Sequence, residues 1–218
     1  MPSHLQNSHI RPQCSRTAFA SEEHLSSFIQ PIDLAKSLRV LNHGPTVLVS
    51  SHHNGVDNVM AAAWSSVVDF TPPKIMVIIA SDTKTRELVD GSGMFAVQVP
   101  TVAQAELTYK VGSVSLHDEP QKLKNAGVKV FKMDGFSVPL VEGCSAWLMC
   151  KVIPEPDNHS KYDLFIGEIV GAWADSRVFR DGRWQFETAA PEWRSIHHVA
   201  GGHFYAIGKS LGSLKKKK

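Results

Sequence analysis

No part of this 218-residue chain is an uninterrupted apolar run of the ~20 residues that a membrane-crossing helix needs. The N-terminal stretch lacks the apolar centre of a secretory signal. His4, His9, Arg11 and Arg16 are scattered there through polar sequence, so a cytoplasmic protein is expected. A basic excess is also missing. The net charge is +2, and Lys215, Lys216, Lys217 and Lys218 together outweigh it, leaving the rest slightly acidic. Neither nucleic acid nor a membrane is therefore expected as a partner. Cysteine is scarce: Cys14, Cys144 and Cys150 are an odd number with no C-x-x-C pair. That disfavours a disulfide framework and a cysteine-rich zinc site, and favours reduced, buried thiols.

Familiar chemical motifs are absent too. There is no G-x-G-x-x-G, Walker A loop, G-x-S-x-G or H-E-x-x-H, so a nucleotide-like cofactor would have to sit on some other surface. The histidine pairs His52-His53 and His197-His198 are vicinal. Adjacent side chains of a strand face opposite ways, so such pairs rarely chelate one ion. His203 adds a candidate ligand without a matching partner motif, and no metal is expected.

What is present is a globular composition, 43% hydrophobic and 20% charged, sized for one domain. Residues 1–30 are polar and aperiodic and read as an arm, residues 31–210 as the domain, and residues 211–218 as a basic tail. Strand signals dominate the domain. A short β-branched strand over 46–51 runs into His53-Asn54-Gly55, a tight-turn signal, and a return segment follows over 59–68. Thr71-Pro72-Pro73 is a stop, and residues 74–80 read as a central strand, apolar on both faces. A helix over 85–89 is closed by Gly91 and Gly93, and a strand over 94–99 is stopped by Pro100. Helices are expected from Thr101 to a stop at Gly112, and over 120–125 before Gly127. Strands are expected over 128–133, 144–153 and 164–173, the last two joined by a loop at 154–160. Helices that do not alternate regularly with strands point to a mainly β, antiparallel barrel with helical insertions.

Two segments stand out chemically. Ser81-Asp82-Thr83-Lys84-Thr85 places three hydroxyls and a cation at a helix start. Free backbone N–H groups there suit a dianionic phosphate, although Thr83 or Thr85 as an ordinary helix cap fits equally well. The other segment, Asn58 to Ser66, sets small residues including Ala62 and Ala63 beside Trp64, Ser65 and Ser66. Small side chains let a flat ring approach the backbone, but a strand against a packed core explains this pattern better on its own.

In this order and spacing the two segments resemble the flavin reductase-like family of FMN-binding split barrels, in its flavoredoxin-like branch. The resemblance runs over residues 35–210. Asn58, the small-residue stretch and Pro72-Pro73 match the first part of the pattern. Thr85 and Gly93-Met94-Phe95 match the second, Leu164-Phe165-Ile166-Gly167 the late barrel strand, and Gly202-His203-Phe204-Tyr205 the C-terminal segment. Two departures are Gln98, where many members carry Asn, and the His52-His53 pair before the turn.

The resemblance implies a Greek-key split β-barrel, usually a homodimer with FMN near the subunit interface. It implies an NAD(P)H-dependent flavin reductase drawing on NADH or NADPH, standing alone or feeding a monooxygenase. The alternative is an FMN-binding electron carrier served by an electron-transfer protein; a flavin-free barrel is a third reading. Carried over, Ser81, Thr83, Lys84 and Thr85 would hold the phosphate. Ala62, Ala63, Trp64, Ser65 and Ser66 would border the ring system, Asn58 would orient the loop, and His203 and Tyr205 would close the site. Backbone N–H groups around Ser65 would face charge on the reduced ring. Hydride transfer between stacked rings needs no side-chain acid or base, so no catalytic residue is expected.

Overall fold

The computed structural model describes residues 44–213; the expected arm and the four terminal lysines lie outside them. Strands β1 (Val47–His53) and β2 (Val56–Ala62) form a hairpin in which His53 pairs with Val56. Asn54 and Gly55 between them both take positive φ, 48° and 75°. That is the backbone twist a two-residue hairpin turn requires, and the reason for Asn-Gly there. Strands β3 (Ser65–Phe70) and β4 (Pro73–Ile78) form a second hairpin, and helix α1 (Lys84–Ser92) leads to β5 (Met94–Val99). A 3-10 turn over Val102–Gln104 opens α2 (Ala105–Ser113), followed by the short α3 (Lys122–Asn125). The small pair β6 (Val130–Phe131) and β7 (Leu140–Val141) precedes the long strands β8 (Ala146–Ile153) and β9 (Leu164–Ala174), between which lies α4 (Pro156–Tyr162). Two small hairpins end the described chain, β10 (Phe179–Arg180) with β11 (Arg183–Trp184) and β12 (Ile196–His198) with β13 (Phe204–Ala206).

Seven strands form one antiparallel sheet in the order β2-β1-β5-β8-β9-β4-β3. Its two edge strands, β2 and β3, are joined by Ala63 and Trp64 alone. A flat sheet would hold those edges six spacings apart, at ~4.8 Å each, beyond the reach of two residues. The sheet must therefore curl until its edges meet, which makes it the expected Greek-key split barrel. No helix among the described residues is long and apolar enough to cross a membrane.

The core alternates with the pleat of β1. Val47 and Val49 join Val77, Ile79, Phe95 and Phe165 inside the barrel. Leu48 points the other way, to Val59, Val111, Val141 and Cys144 beneath α2 and α3. β1 is thus buried on both faces, as the sequence led one to expect of residues 74–80. β4, like β1, lies one strand in from an edge, but Met76 and Ile78 on its outer face are only half-buried.

Other elements also differ from the sequence reading. The return segment over 59–68 is two strands, because the chain leaves β1 at Ala63 to pair with β4. The strand over 128–133 shrinks to two residues. Gly112 lies inside α2, and residues 156–162 form a helix, with Pro156 in its first turn. Proline is compatible there because that N–H has no partner within a helix.

Candidate functional site

Helix α1 starts at the open end of the barrel beside β2. Thr83 caps it: its hydroxyl accepts from the Arg86 N–H at 3.2 Å and donates to the Ala80 carbonyl at 2.8 Å. Of the two readings of this segment, capping is therefore realised at Thr83. Thr85, the second residue of the helix, is fully buried and faces β2, where its Oγ1 accepts from Asn58 Nδ2 at 3.0 Å. Asn58 Oδ1 is buried with no hydrogen-bond partner. With a single partner, one end of this amide is unpaired whichever way it is turned. An unpaired buried amide end costs free energy unless something fills the space beside it.

That space is a cleft of about 160 Å³ whose wall includes Asn58, Thr83, Lys84, Thr85, Ser115 and Lys122. At its rim Lys84 Nζ bonds Glu87 Oε2 at 2.5 Å, and His117 Nε2 lies 3.0 Å from the other oxygen of Glu87. The hydrogen bond from Lys84 holds the Glu87 carboxyl below the usual carboxylate range. Lys122 is only 4% exposed, and burial pushes its ammonium down to about 8.

A second cleft, of about 270 Å³, adjoins the first, and both are lined by Ala61, Gly112 and Ser113. Ala62, Ala63, Thr108, Tyr109, His198 and Phe204 complete most of its wall. The shared waist is narrow because α2 packs closely on β2: a Cβ on Gly112 would stand 3.0 Å from the Ala61 Cβ. Thr108 Oγ1 is buried there with no hydrogen-bond partner. His198 leans on Phe204 with ring centroids 5.1 Å apart, and its N–H donates to Thr46 Oγ1 at 2.8 Å. The groove is therefore polar and cationic at one end, floored by small residues at its waist, and aromatic at the other end.

The structure brings Asn58, Thr83, Lys84 and Thr85 together on the first cleft, and Ala62 and Ala63 onto the second. It does not bring the remaining candidates to either wall. Ser81 lies in the exposed turn before α1, and Ser65 and Ser66 lie on the β3 edge beside Trp64, which is 51% exposed. His203 and Tyr205 are exposed; Phe204 between them faces the groove, as alternation along an extended segment requires. Sequence reasoning named Ala61 only as part of the small-residue stretch and missed Tyr109, Gly112, Lys122 and His198 as wall residues. Lys122 shares a helix face with Ala126, which packs on the core, a contact that shows only in the structure.

The two departures from the family pattern are structural. Gln98 is buried, donating to Ser50 Oγ at 2.8 Å and accepting from the Val141 N–H at 2.5 Å, which ties β1, β5 and β7 together. His52 Nδ1 bonds Asp57 Oδ1 at 2.5 Å, and the His53 ring packs where a Cβ on Gly91 would be, 2.5 Å away. Among the described residues, no group of three or more His, Cys, Asp or Glu is placed to hold a metal ion.

Comparison with known proteins agrees with this architecture. The flavin reductase like domain family matches residues 39–189. The uncharacterized protein YddH of Escherichia coli K12 is 43% identical over 190 residues, which is 86% of this chain and 98% of that protein. The crystal structure of an FMN-binding domain of a flavin reductases-like enzyme from Shewanella baltica OS155 superposes with a TM-score of 0.77 at 57% identity, covering 87% of this chain and all of that one. Flavoredoxin of Desulfovibrio vulgaris (Miyazaki F) shares the fold at 21% identity and a TM-score of 0.69, over 88% of this chain and 98% of its own.

Proposed function

The chain belongs to the flavin reductase-like domain family, and from that premise we propose that it is an FMN-binding oxidoreductase, an NAD(P)H-dependent flavin reductase. The observation that carries the proposal is the pair of adjoining clefts, one lined by hydroxyls and cations and the other by small residues and aromatics. A phosphate monoester joined to a flat ring system has that same division of chemistry. Two buried polar groups without partners on the cleft walls, at Asn58 and Thr108, mark places where a ligand would complete the hydrogen bonding.

In this reading Lys84, Thr85 and the N-terminus of α1 hold the phosphate, since charge-assisted bonds and free N–H groups favour an anion there. Thr83 contributes by fixing the helix start, its own hydroxyl being already engaged. Asn58 holds the Thr85 hydroxyl in place through their bond and offers its second amide end to the ligand. Ala61, Ala62, Ala63 and Gly112 let a ring lie close to the backbone. Tyr109, His198 and Phe204 wall the far end and keep water from one ring face. FMN bound there would supply the redox chemistry, accepting hydride from a nicotinamide nucleotide and passing electrons to a free flavin or a protein acceptor. The chain itself needs to supply orientation and exclusion of water, not a titrating acid or base.

The visible absorption spectrum of the purified protein, before and after FMN addition, tests the proposal first. Flavin bands that bleach on anaerobic addition of NADH or NADPH are the expected result. Bands that persist with both donors would replace the reductase by a carrier reduced by a protein partner. A protein that stays colourless after FMN addition and gel filtration would overturn the flavin reading itself.

A further inference from the structure

The cationic end of the groove holds two lysines in different settings. Lys84 sits at the rim, bonded to Glu87. Lys122 projects from α3 into the same cleft and is 4% exposed. No carboxylate among the described residues lies within 4.0 Å of its Nζ. The charged groups around it are otherwise occupied or of like sign. On α1, Lys84 is of like sign and Glu87 is shared between Lys84 and His117. On the preceding turn, Glu119 is turned to Asn125. On β2, Asp57 is bonded to His52 and approached by Lys132. Asp118 precedes α3, and Lys124 lies two residues after Lys122 within it.

An ammonium buried without a counter-charge is costly, and a chain can relieve the cost by releasing the proton or by taking in an anion. The cleft wall opposite supplies the remaining parts of an anion site: the Thr85 hydroxyl, the unpaired end of the Asn58 amide and the start of a nine-residue helix.

We infer that Lys122 is a ligand of the phosphate end of the groove, its buried ammonium taking a phosphate monoester dianion as its counter-charge. The inference rests on the FMN reading above. Where the pH has already removed the proton, the amine regains one from solvent as the dianion enters, and the dianion stays a dianion.

The sign of the pH dependence follows. Without ligand, the amine loses its proton as pH rises through about 8. A dianion beside it raises that value in the complex. Affinity for FMN is therefore full below this point and falls above it, about tenfold between pH 7 and pH 9. Riboflavin, which has the same ring system and no phosphate, shows no such fall. The stability of the ligand-free protein moves in the opposite direction. The unfolded chain holds the Lys122 proton up to its ordinary range, so between about pH 8 and 10 this residue makes folding more favourable as pH rises.

Isothermal titration of the full chain with FMN and with riboflavin, at pH 7 and 9 in buffers of different ionisation heat, tests the inference. The expected result at pH 9 is uptake of close to one proton per FMN and none per riboflavin. Lys122→Arg should bind FMN with no proton uptake and a flat profile, and Lys122→Met should bind riboflavin as the parent does and FMN more weakly. The melting temperature of ligand-free parent minus that of Lys122→Met should rise from pH 8 to pH 10. FMN binding with no proton uptake at pH 9, or FMN affinity unchanged in Lys122→Met, would overturn the role of Lys122 and leave the flavin reading standing. Failure of the parent protein to bind either flavin would overturn that reading, and the melting comparison would still report whether Lys122 is buried as a neutral amine.

Discussion

Asn58 and Thr85, 27 positions apart in the chain, meet through one hydrogen bond of 3.0 Å, and both are buried. Their types and their order were legible in the sequence; that they touch was not, since the contact depends on α1 packing against β2. The same limit hid Lys122. A lysine in a short polar helix reads as solvated, and only the packing of α3 on the core turns it inward. Thr83 shows the converse, because a cap and a ligand hydroxyl look alike until the hydrogen bonds are seen. If Lys84 and Thr85 hold the phosphate, the double substitution Lys84→Ala, Thr85→Ala should weaken FMN binding by at least ~2 kcal/mol, through loss of charge-assisted bonds. That is about 30-fold in Kd. Riboflavin affinity should change far less, and fluorescence titration with both ligands would read the difference. Equal losses for both flavins would instead point to a disturbed groove, and no loss in a folded variant would remove the phosphate assignment.

At the scale of elements, local signals served where the cause of structure is local. Asn54-Gly55 makes the β1–β2 hairpin and Gly93 ends α1 in the left-handed conformation, each for a reason contained within a few residues. Elements set by distant pairing were misjudged. β4 has the composition of a strand buried on both faces, yet it is β1, equally one strand in from an edge, that is so buried, because α2 and α3 cover its second face. Gly112 illustrates the same point inside a helix. Glycine lowers helix stability by ~1 kcal/mol relative to alanine, so its presence in α2 works against the element and for the waist of the groove beside Ala61. Gly112→Ala should therefore gain helix propensity and lose clearance, since its new methyl group would stand 3.0 Å from Ala61 Cβ. The expected outcome is a melting temperature close to the parent's together with flavin affinity lowered several-fold. A variant that binds flavin as the parent does would show that the ligand does not pass this waist.

At the scale of the whole molecule, curling the sheet brings β2 and β3 together but leaves β3 paired only on its β4 side. Its side chains include Val67 at 67% and Phe70 at 87% exposure, with Val68 and Trp64 also exposed. An edge strand with a free ladder and apolar side chains is a template for another chain, and a second copy of the same protein can cover it about a two-fold axis. The proposed homodimer also accounts for a displacement within the site. Trp64, Ser65 and Ser66 resemble ring-bordering residues of the family, yet they lie just before and at the start of β3, away from the clefts of their own subunit. In a dimer closed through this edge they would stand where a partner's groove can use them. Val67→Asp with Phe70→Asp places two carboxylates on that surface without touching either cleft. The expected result is a monomer in sedimentation velocity, with FMN affinity at least tenfold weaker although every groove residue of the subunit is intact. Retention of parental FMN affinity by a monomer would confine the site to one chain, and a dimer that survives both aspartates would move the interface away from β3.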